Sequence, residues 1–336
     1  MPLKLAINGF GRIGRNVLRA LHESGETDLE VVAINDLSDT DNLAHLLKYD
    51  SVHGRFPGTV SNTKNSLNIG GNDIEVTAIR DLKDQSWADN KVDIVLECTG
   101  FFTSRDAAAG HLGAGAKRVL ISAPGKDVDN TIVYGVNHDT LTKDHIIVSN
   151  GSCTTNALAP VAKVLHESFG IETGFMTTVH AYTGNQPTMD SISTKDYNRG
   201  RAAAVSMIPT STGAAKAIGL VMPELAGKLD GKAIRVPTPN VSVVDLVVNT
   251  KNPVSAETVN QAFAKAANGP LKGVLQVIEE KVVSIDLNHD SHSSSFIPEE
   301  TVCVGDHMVR VLSWYDNEWG FSNRMLNTAR EMGKFL

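Results

Sequence analysis

Hydrophobic and polar positions at the start of the chain change from a short period to a helical one. An apolar segment, 3–7, stops at a glycine-rich stretch, 9–14, after which apolar side chains recur at helical spacing over 17–21. A β-branched run, 30–36, then ends in the carboxylate of Asp36. This order predicts strand, tight turn, helix and strand, so a parallel βαβ unit closes by residue 36.

Short apolar segments continue to about residue 150. They are typical of buried strands and are separated in places by helical stretches such as 104–115; they cover 92–97, 118–122 and 145–149. Buried strands alternating with helices predict an α/β fold with a Rossmann-type, doubly wound parallel sheet.

The rhythm changes after residue 150, where strands become longer and several alternate between apolar and polar positions. The predicted strands are 174–183, 233–236, 242–250, 281–287 and 307–315, and the predicted helices are 157–169, 213–224, 255–267 and 319–335. One-sided strands of this kind favour an α+β domain with a mostly antiparallel sheet. Residues 184–204 carry no clear period and form the longest predicted loop.

Composition narrows the class of protein. The chain has 336 residues, 41% hydrophobic, and a formal net charge of −7. These values exclude disorder and disfavour nucleic acid as a partner. No segment approaches the ~20 apolar residues of a membrane helix, and no leader precedes the first strand, so we expect a cytoplasmic protein. The three cysteines lack CxxC spacing, which favours free thiols and no metal site.

The glycine stretch supplies the first candidate site. Gly9, Gly11 and Gly14 follow a strand and open a helix, as the dinucleotide-binding fingerprint requires. Asp36 lies 22 residues after Gly14 at the end of the second strand, where a carboxylate hydrogen-bonds ribose hydroxyls and repels a 2′-phosphate. The sequence therefore predicts NAD as cofactor, in preference to NADP.

Cys153 is the candidate nucleophile. It follows an apolar strand and opens a helix, and the position of Pro160, tolerated best in a first turn, also places the helix start near Cys153. The positive end of a helix lowers the pKa of a thiol, so we expect an activated thiolate. Cys98 and Cys303 lie within apolar strand patterns and are interpreted as inert buried thiols.

His180 is the candidate catalytic histidine among eleven histidines, most of which are interpreted as surface or packing residues. It lies on a strand that ends in a hydroxyl-rich patch, 177–183. A second histidine pattern, His289 and His292, lacks further ligand spacing and is interpreted as a polar turn.

Several motifs together resemble one family. They are Asn8–Gly14, Asn35–Asp36, Glu97–Gly100, Ser152–Asn156, Thr178–Thr183, Pro209–Lys216, Arg235–Asn240 and Trp314–Glu318. Because these motifs occur in the family's order, the chain resembles the phosphorylating glyceraldehyde-3-phosphate dehydrogenases over essentially its whole length.

The resemblance implies a chemistry. Cys153 attacks the aldehyde of glyceraldehyde 3-phosphate, and His180 pairs with the thiolate and acts as base during hydride transfer to NAD. Inorganic phosphate then attacks the thioacyl enzyme to give 1,3-bisphosphoglycerate.

It also implies binding residues, a domain division and an assembly. Thr183 and Arg235 hold the substrate phosphate, and the attacking phosphate is held by Ser152, Thr154, Thr212 and Gly213. Asn317 orients the nicotinamide carboxamide, and further cofactor contacts come from Arg12, Ile13, Arg80, Thr99 and Ser122. Residues 1–151, completed by helix 319–336, form the NAD-binding domain and 152–318 the catalytic domain. The family implies a homotetramer.

Some positions depart from the family pattern and leave alternatives. Asn185 stands where aspartate is common, and Ser191 and Ile192 replace the Leu-Pro pair of many NAD-specific members. These departures bear on the choice between NAD and NADP, and the carboxylate of Asp36 still favours NAD. A dehydrogenase for another phosphorylated aldehyde such as erythrose 4-phosphate, and a non-catalytic NAD-sensing protein, are the competing hypotheses.

Overall fold

The chain crosses four times between two structural units in a computed structural model that describes residues 1–194 and 196–336. The first unit contains 1–132, 138–151 and 322–336, and the second contains 133–137 and 152–321. The passage at 151/152 falls at the predicted boundary, whereas 133–137 is grouped with the second unit. The division of binding and catalysis between the units stays a prediction.

Up to residue 151, the first unit contains eleven strands and four helices. Its strands are β1 (Leu3–Asn8), β2 (Leu29–Asn35), β3 (Tyr49–Asp50), β4 (Gly54–Arg55), β5 (Val60–Thr63), β6 (Ser66–Ile69), β7 (Asn72–Thr77), β8 (Ile94–Glu97), β9 (Arg118–Ile121), β10 (Asn130–Thr131) and β11 (Ile147–Ser149). Its helices are α1 (Arg12–Ser24), α2 (Thr40–Lys48), α3 (Arg105–Ala108) and α4 (Gly110–Gly113).

Nine of these strands form one sheet, in the order β10-β11-β9-β8-β1-β2-β7-β6-β5. The pairs from β10 to β7 are parallel, and β6 and β5 extend the edge in antiparallel pairing. The order β7-β2-β1-β8-β9-β11 is that of a dinucleotide-binding sheet, which confirms the Rossmann fold. The chain reverses direction across the sheet between β1 and β8, and ligands bind beside that point, at the carboxyl ends of the strands.

In its described residues, the second unit contains the remaining strands and three helices that lie wholly within it. They are α5 (Cys153–Phe169), β12 (Ile171–Ala181), β13 (Ile208–Ser211), α6 (Ala214–Val221), β14 (Leu229–Val236), β15 (Ser242–Thr250), α7 (Ala256–Ala267), β16 (Leu275–Val277), β17 (Ser294–Phe296), β18 (Val302–Val304) and β19 (Met308–Tyr315). The last helix of the chain is α8 (Trp319–Gly333).

The second sheet has the order β13-β14-β12-β15-β19-β17-β16, with β18 paired to β19. Most pairs are antiparallel, as predicted, but β12 and β14 run parallel and bring His180 opposite Arg235. One side of this sheet packs against α5, α6 and α7 in an apolar core where the rings of Phe263 and Phe296 stack at 3.8 Å.

The end of the chain belongs to the first unit. Thr328 on α8 donates to the Asn150 side chain at 2.7 Å, and the Arg118 guanidinium donates to the Phe335 carbonyl at 3.1 Å. Arg330 also pairs with Asp28. These bonds fasten residues beyond 321 to the sheet of the first unit.

Three predictions of local structure need correction. The strand expected over 281–287 is wrong: residues Ser284–Leu287 form a 3₁₀ helix, because the Asp286 carboxylate accepts from the Val283 N–H at 2.8 Å and so competes with strand pairing. The helix expected over 104–115 is two short helices, divided at Ala109 just before the weak helix former Gly110. Pro160 lies inside α5 and not in its first turn.

Further 3₁₀ turns occupy Leu82–Asp84, His138–Thr140, Tyr197–Gly200, Pro223–Leu225 and Pro298–Glu300. In the described part of the chain, no helix combines the length and the apolar character needed to cross a bilayer.

Candidate active site

A cavity of about 380 Å³ opens at the carboxyl ends of β1, β2 and β8. Its lining includes five predicted cofactor residues, Gly9, Gly11, Asp36, Arg80 and Thr99. The cavity therefore lies at the point of the sheet where this fold binds dinucleotides.

The fingerprint glycines are required by close backbone packing. A Cβ on Gly14 would lie 2.2 Å from the Gly9 carbonyl oxygen, and one on Gly9, whose φ is +92°, would lie 2.7 Å from the Thr99 nitrogen. Gly11 caps α1 without a side-chain hydrogen bond and has open space around it. The first turn of α1 is thus free of side-chain capping and suits a pyrophosphate, so these residues fit NAD.

Asp36 holds the same turn in place. Its carboxylate accepts from the Phe10 N–H at 2.7 Å and from the Ser38 N–H at 3.0 Å. Asp36 therefore fixes the glycine turn relative to β2 as well as lining the cavity.

Arg12 and Ile13 form the first turn of α1, and Arg12 has a partner that the sequence did not reveal. Its guanidinium donates to the Asp50 carboxylate at 2.5 Å. Burial alone would raise the pKa of Asp50, but Arg12 and the N–H groups of His53 and Val52 lower it to about 2. Asp50 is therefore ionised at neutral pH and restricts the Arg12 side chain.

A buried polar network lies behind the cavity and centres on Glu97, at the end of β8. Its carboxylate accepts from Asn8 at 2.6 Å, from the Thr99 N–H at 2.8 Å and from the Thr99 hydroxyl. The Trp87 indole donates to His111 Nδ1 at 3.0 Å, so the His111 proton lies on Nε2 and is donated to Glu97 at 2.9 Å. Glu97 thus orients two residues that line the cavity.

Ser122 follows β9 and joins this region through its backbone, donating its N–H to the Glu97 carbonyl at 3.0 Å. The sequence placed Glu97 in a motif but gave it no role, because its partner His111 is remote in the sequence.

The second unit holds the nucleophile pair. Ser152 caps α5 by accepting from the Thr155 N–H at 3.0 Å, which fixes the helix start at Cys153. Cys153 Sγ lies 3.5 Å from His180 Nε2. The structure thus brings together the two residues predicted to react.

The hydrogen bonds of His180 define its tautomer. Its Nδ1 lies 2.6 Å from the Ala181 carbonyl, which can only accept, and 3.0 Å from Arg235 Nη1, which can only donate. The shorter contact places the proton on Nδ1, and Arg235 Nη1 then directs its own proton to the Ala181 carbonyl at 3.0 Å. Nε2 then faces the Cys153 sulfur with a lone pair. His180 is arranged to take a proton from the thiol.

The predicted effect of the helix start on the thiol is present but does not prevail, because burial outweighs the hydrogen bonds from the N–H groups of Cys153 and Thr154, which lower its pKa. Burial raises the pKa of Cys153, although Arg235 opposes the rise, and burial together with Arg235 lowers the pKa of His180 to about 3. Transfer of the thiol proton to Nε2 leaves the net charge of the site unchanged and creates opposite charges 3.5 Å apart. We therefore attribute thiolate formation to the pair and not to the helix start alone.

Arg235 joins this pair to Thr183. Its Nη1 donates to the Ala181 carbonyl at 3.0 Å and approaches the Thr183 hydroxyl at 3.3 Å. The Thr183 hydroxyl donates onward to Asn185 at 2.8 Å. Within the described residues the buried Nε of Arg235 has no hydrogen-bond partner, so the guanidinium keeps donor capacity for an anion.

Tyr315 is a site residue that sequence reasoning missed, although its motif was noted. Its hydroxyl lies 2.8 Å from the Thr154 hydroxyl and 3.0 Å from that of Thr178, and its ring meets His180 edge-on. Burial raises the pKa of Tyr315, so the hydroxyl stays protonated. Thr154 is thereby held in the wall beside His180.

The remaining predicted residues lie at other ends of elements in this unit. Thr212 accepts from the Ala214 N–H at 3.2 Å, and Gly213 caps α6 without a side-chain bond. In the part of the chain that the structure describes, no hydrogen bond links Thr212 or Gly213 to Cys153, His180 or Arg235. Asn317 is buried next to Ser242, which donates to its Oδ1 at 2.8 Å.

The fold and the cofactor cavity define a class: a two-domain, NAD-dependent oxidoreductase. Comparison with known families agrees, because residues 3–105 match the glyceraldehyde 3-phosphate dehydrogenase NAD binding domain and residues 152–317 the corresponding C-terminal domain. The chain belongs to the glyceraldehyde-3-phosphate dehydrogenase family.

Curated relatives cover the whole chain. It is 62% identical to the glyceraldehyde-3-phosphate dehydrogenase of Xanthobacter flavus, with 99% of both chains covered. It is 61% identical to that of Cereibacter sphaeroides over 100% of both chains, and 56% identical to that of Geobacillus stearothermophilus over 98% of both.

Proposed function

We propose that this protein oxidises glyceraldehyde 3-phosphate and transfers the acyl group to inorganic phosphate, with Cys153 as nucleophile and His180 as base. The observation that carries the proposal is the 3.5 Å contact between Cys153 Sγ and the unprotonated Nε2 of His180, with Arg235 joined to His180 through the Ala181 carbonyl that both donate to. The names of the relatives support the choice of aldehyde.

The first half of the reaction forms and oxidises a hemithioacetal on Cys153. The thiol proton passes to His180, and the sulfur adds to the aldehyde carbon to give an alkoxide, which takes that proton back from His180. NAD, when bound, supplies the acceptor for the hydride of that carbon. His180 then takes the hydroxyl proton as the C=O bond of the thioester forms.

The second half cleaves the thioester. A phosphate oxygen attacks the acyl carbon, the C–S bond breaks, and the electron pair returns to sulfur as thiolate, releasing the acyl phosphate. We assign the substrate phosphate to Thr183 and Arg235, and the attacking phosphate to Ser152, Thr154, Thr212 and Gly213. The uncapped start of α6 at Gly213 supports an anion there.

Phosphate dependence tests the proposal. We expect NADH formation from glyceraldehyde 3-phosphate to require phosphate or arsenate, and to be much faster with NAD than with NADP because Asp36 lines the cofactor cavity. Turnover indifferent to both anions would contradict the proposal. A higher kcat/KM for erythrose 4-phosphate than for glyceraldehyde 3-phosphate would identify erythrose 4-phosphate as the substrate instead.

We also propose a cytoplasmic homotetramer. Large apolar side chains are exposed in the second unit, among them Ile192 (95%), Tyr197 (85%) and Val205 (79%). Exposed apolar surface of this kind marks subunit interfaces. Light scattering should give about four times the chain mass of 36.0 kDa, and Ile192→Asp should shift the protein to smaller species; a monomeric wild-type protein would contradict this assembly.

A further inference from the structure

Ser242 lies at the start of β15 and connects two strand ends of the second unit. Its side chain is 1% exposed. Its Oγ accepts from the Ala181 N–H at 3.0 Å and donates to Asn317 Oδ1 at 2.8 Å. One hydroxyl therefore links the residue after the catalytic histidine to the residue assigned to the nicotinamide.

The direction of this chain of hydrogen bonds is fixed at its origin. A backbone N–H can only donate, so Ser242 Oγ must accept from Ala181. The single hydroxyl proton is then directed to Asn317, and the atom that receives it must be the carbonyl oxygen. The Asn317 NH₂ group consequently points away from Ser242 and remains a donor.

The origin of the chain is itself anchored at the active site. The carbonyl of Ala181 accepts from His180 at 2.6 Å and from Arg235 at 3.0 Å. Ala181, whose N–H donates to Ser242, is thus held in place by His180 and Arg235.

The backbone around Ser242 is constrained as well. Val241 is 3% exposed and has a φ of +67°, a left-handed conformation that β-branched residues rarely adopt. The preceding Asn240 donates to Asp316 at 2.8 Å, so residues 240 and 242 hold the consecutive residues 316 and 317. Strain of this kind persists where the surroundings enforce it, often at functional sites.

We propose that Ser242 is a positioning residue that orients the Asn317 amide so that its NH₂ group donates to the carboxamide carbonyl of the nicotinamide. The proposal rests on the proposed function and on the role in nicotinamide binding that the family resemblance implies for Asn317. It assigns cofactor orientation to a residue that touches neither the cofactor nor the substrate.

Ser242→Ala tests this role with two ligands that differ only in the nicotinamide. Without the hydroxyl, the Asn317 amide is free to turn over, so the Kd for NAD should rise about tenfold, the effect of one lost hydrogen bond. The Kd for ADP-ribose, which lacks the nicotinamide, should change less than twofold. The ratio of the two constants is measured on the same folded protein, so a loss of folded protein alone does not move it.

Ser313→Ala is the matched control. Ser313 is a fully buried serine on β19, and its hydroxyl has no partner among the described residues. The same atom is removed there, and neither Kd should change. Ser242→Cys keeps most of the volume and weakens the hydrogen bond, so it should raise the Kd for NAD by a smaller factor.

Asn317→Ala separates failure of this inference from failure of the proposed function. If Asn317→Ala weakens NAD selectively and Ser242→Ala does not, the positioning role of Ser242 is refuted and the role of Asn317 stands. If Asn317→Ala affects NAD and ADP-ribose equally, the assignment of Asn317 to the nicotinamide is refuted. A selective loss in both variants supports the proposal.

Discussion

Replacement of Cys153 by serine should abolish aldehyde oxidation while leaving NAD binding intact. The hydroxyl is far less acidic than the thiol, so proton transfer to His180 no longer yields a competent nucleophile. We expect kcat to fall by about 10⁴-fold or more. The Kd for NAD should stay within about twofold, because the predicted fingerprint residues around the cofactor cavity belong to the first unit.

Cys303→Ser provides the matched control. Cys303 lies on β18, partly buried, and burial raises the pKa of its thiol, so it offers no activated sulfur. This variant should retain wild-type kcat. If activity survived in Cys153→Ser and disappeared in Cys303→Ser, the nucleophile would be Cys303 and the assignment to Cys153 would be refuted.

The second large effect is expected for His180→Gln, in which kcat should fall by about 10²–10⁴-fold. The clearer signature is the pH dependence of Cys153 alkylation by iodoacetamide. In the wild-type protein, transfer of the proton to Nε2 provides thiolate below the pKa of an isolated thiol, so alkylation should remain fast well below pH 8.

Without the imidazole, the thiol titrates alone. Burial raises the pKa of Cys153, so the midpoint of alkylation should move to higher pH and the rate at pH 7 should drop at least tenfold. His45→Gln, an exposed histidine on α2, should behave as wild type. Identical pH profiles for wild type and His180→Gln would show that the pair does not activate the sulfur.

Local patterns predicted the elements that depend on local chemistry. The glycine spacing placed the turn before α1, and short apolar runs placed β1, β2, β8 and β9, because buried strands need apolar residues. The strand expected over 281–287 failed because one carboxylate, Asp286, competes for a backbone N–H. The alternation of apolar residues does not encode that competition.

The site was predictable where a motif carries its own chemistry and not where partners are distant in sequence. Cys153 and His180 were found, but the roles of Asp50, Glu97 and Ser242 depend on partners 38, 14 and 75 residues away. The opposing effect of burial on the thiol was not visible in the sequence for the same reason, because groups that surround Cys153, among them His180 and Arg235, are distant along the chain.

Trp87, whose indole donates to His111, has a practical use because of its place in the chain. The other two tryptophans, Trp314 and Trp319, belong to the second unit, so Trp87 is the lone indole of the first. Its fluorescence emission reports on the first unit, and a protein carrying phenylalanine at 314 and 319 would allow the unfolding of that unit to be followed separately.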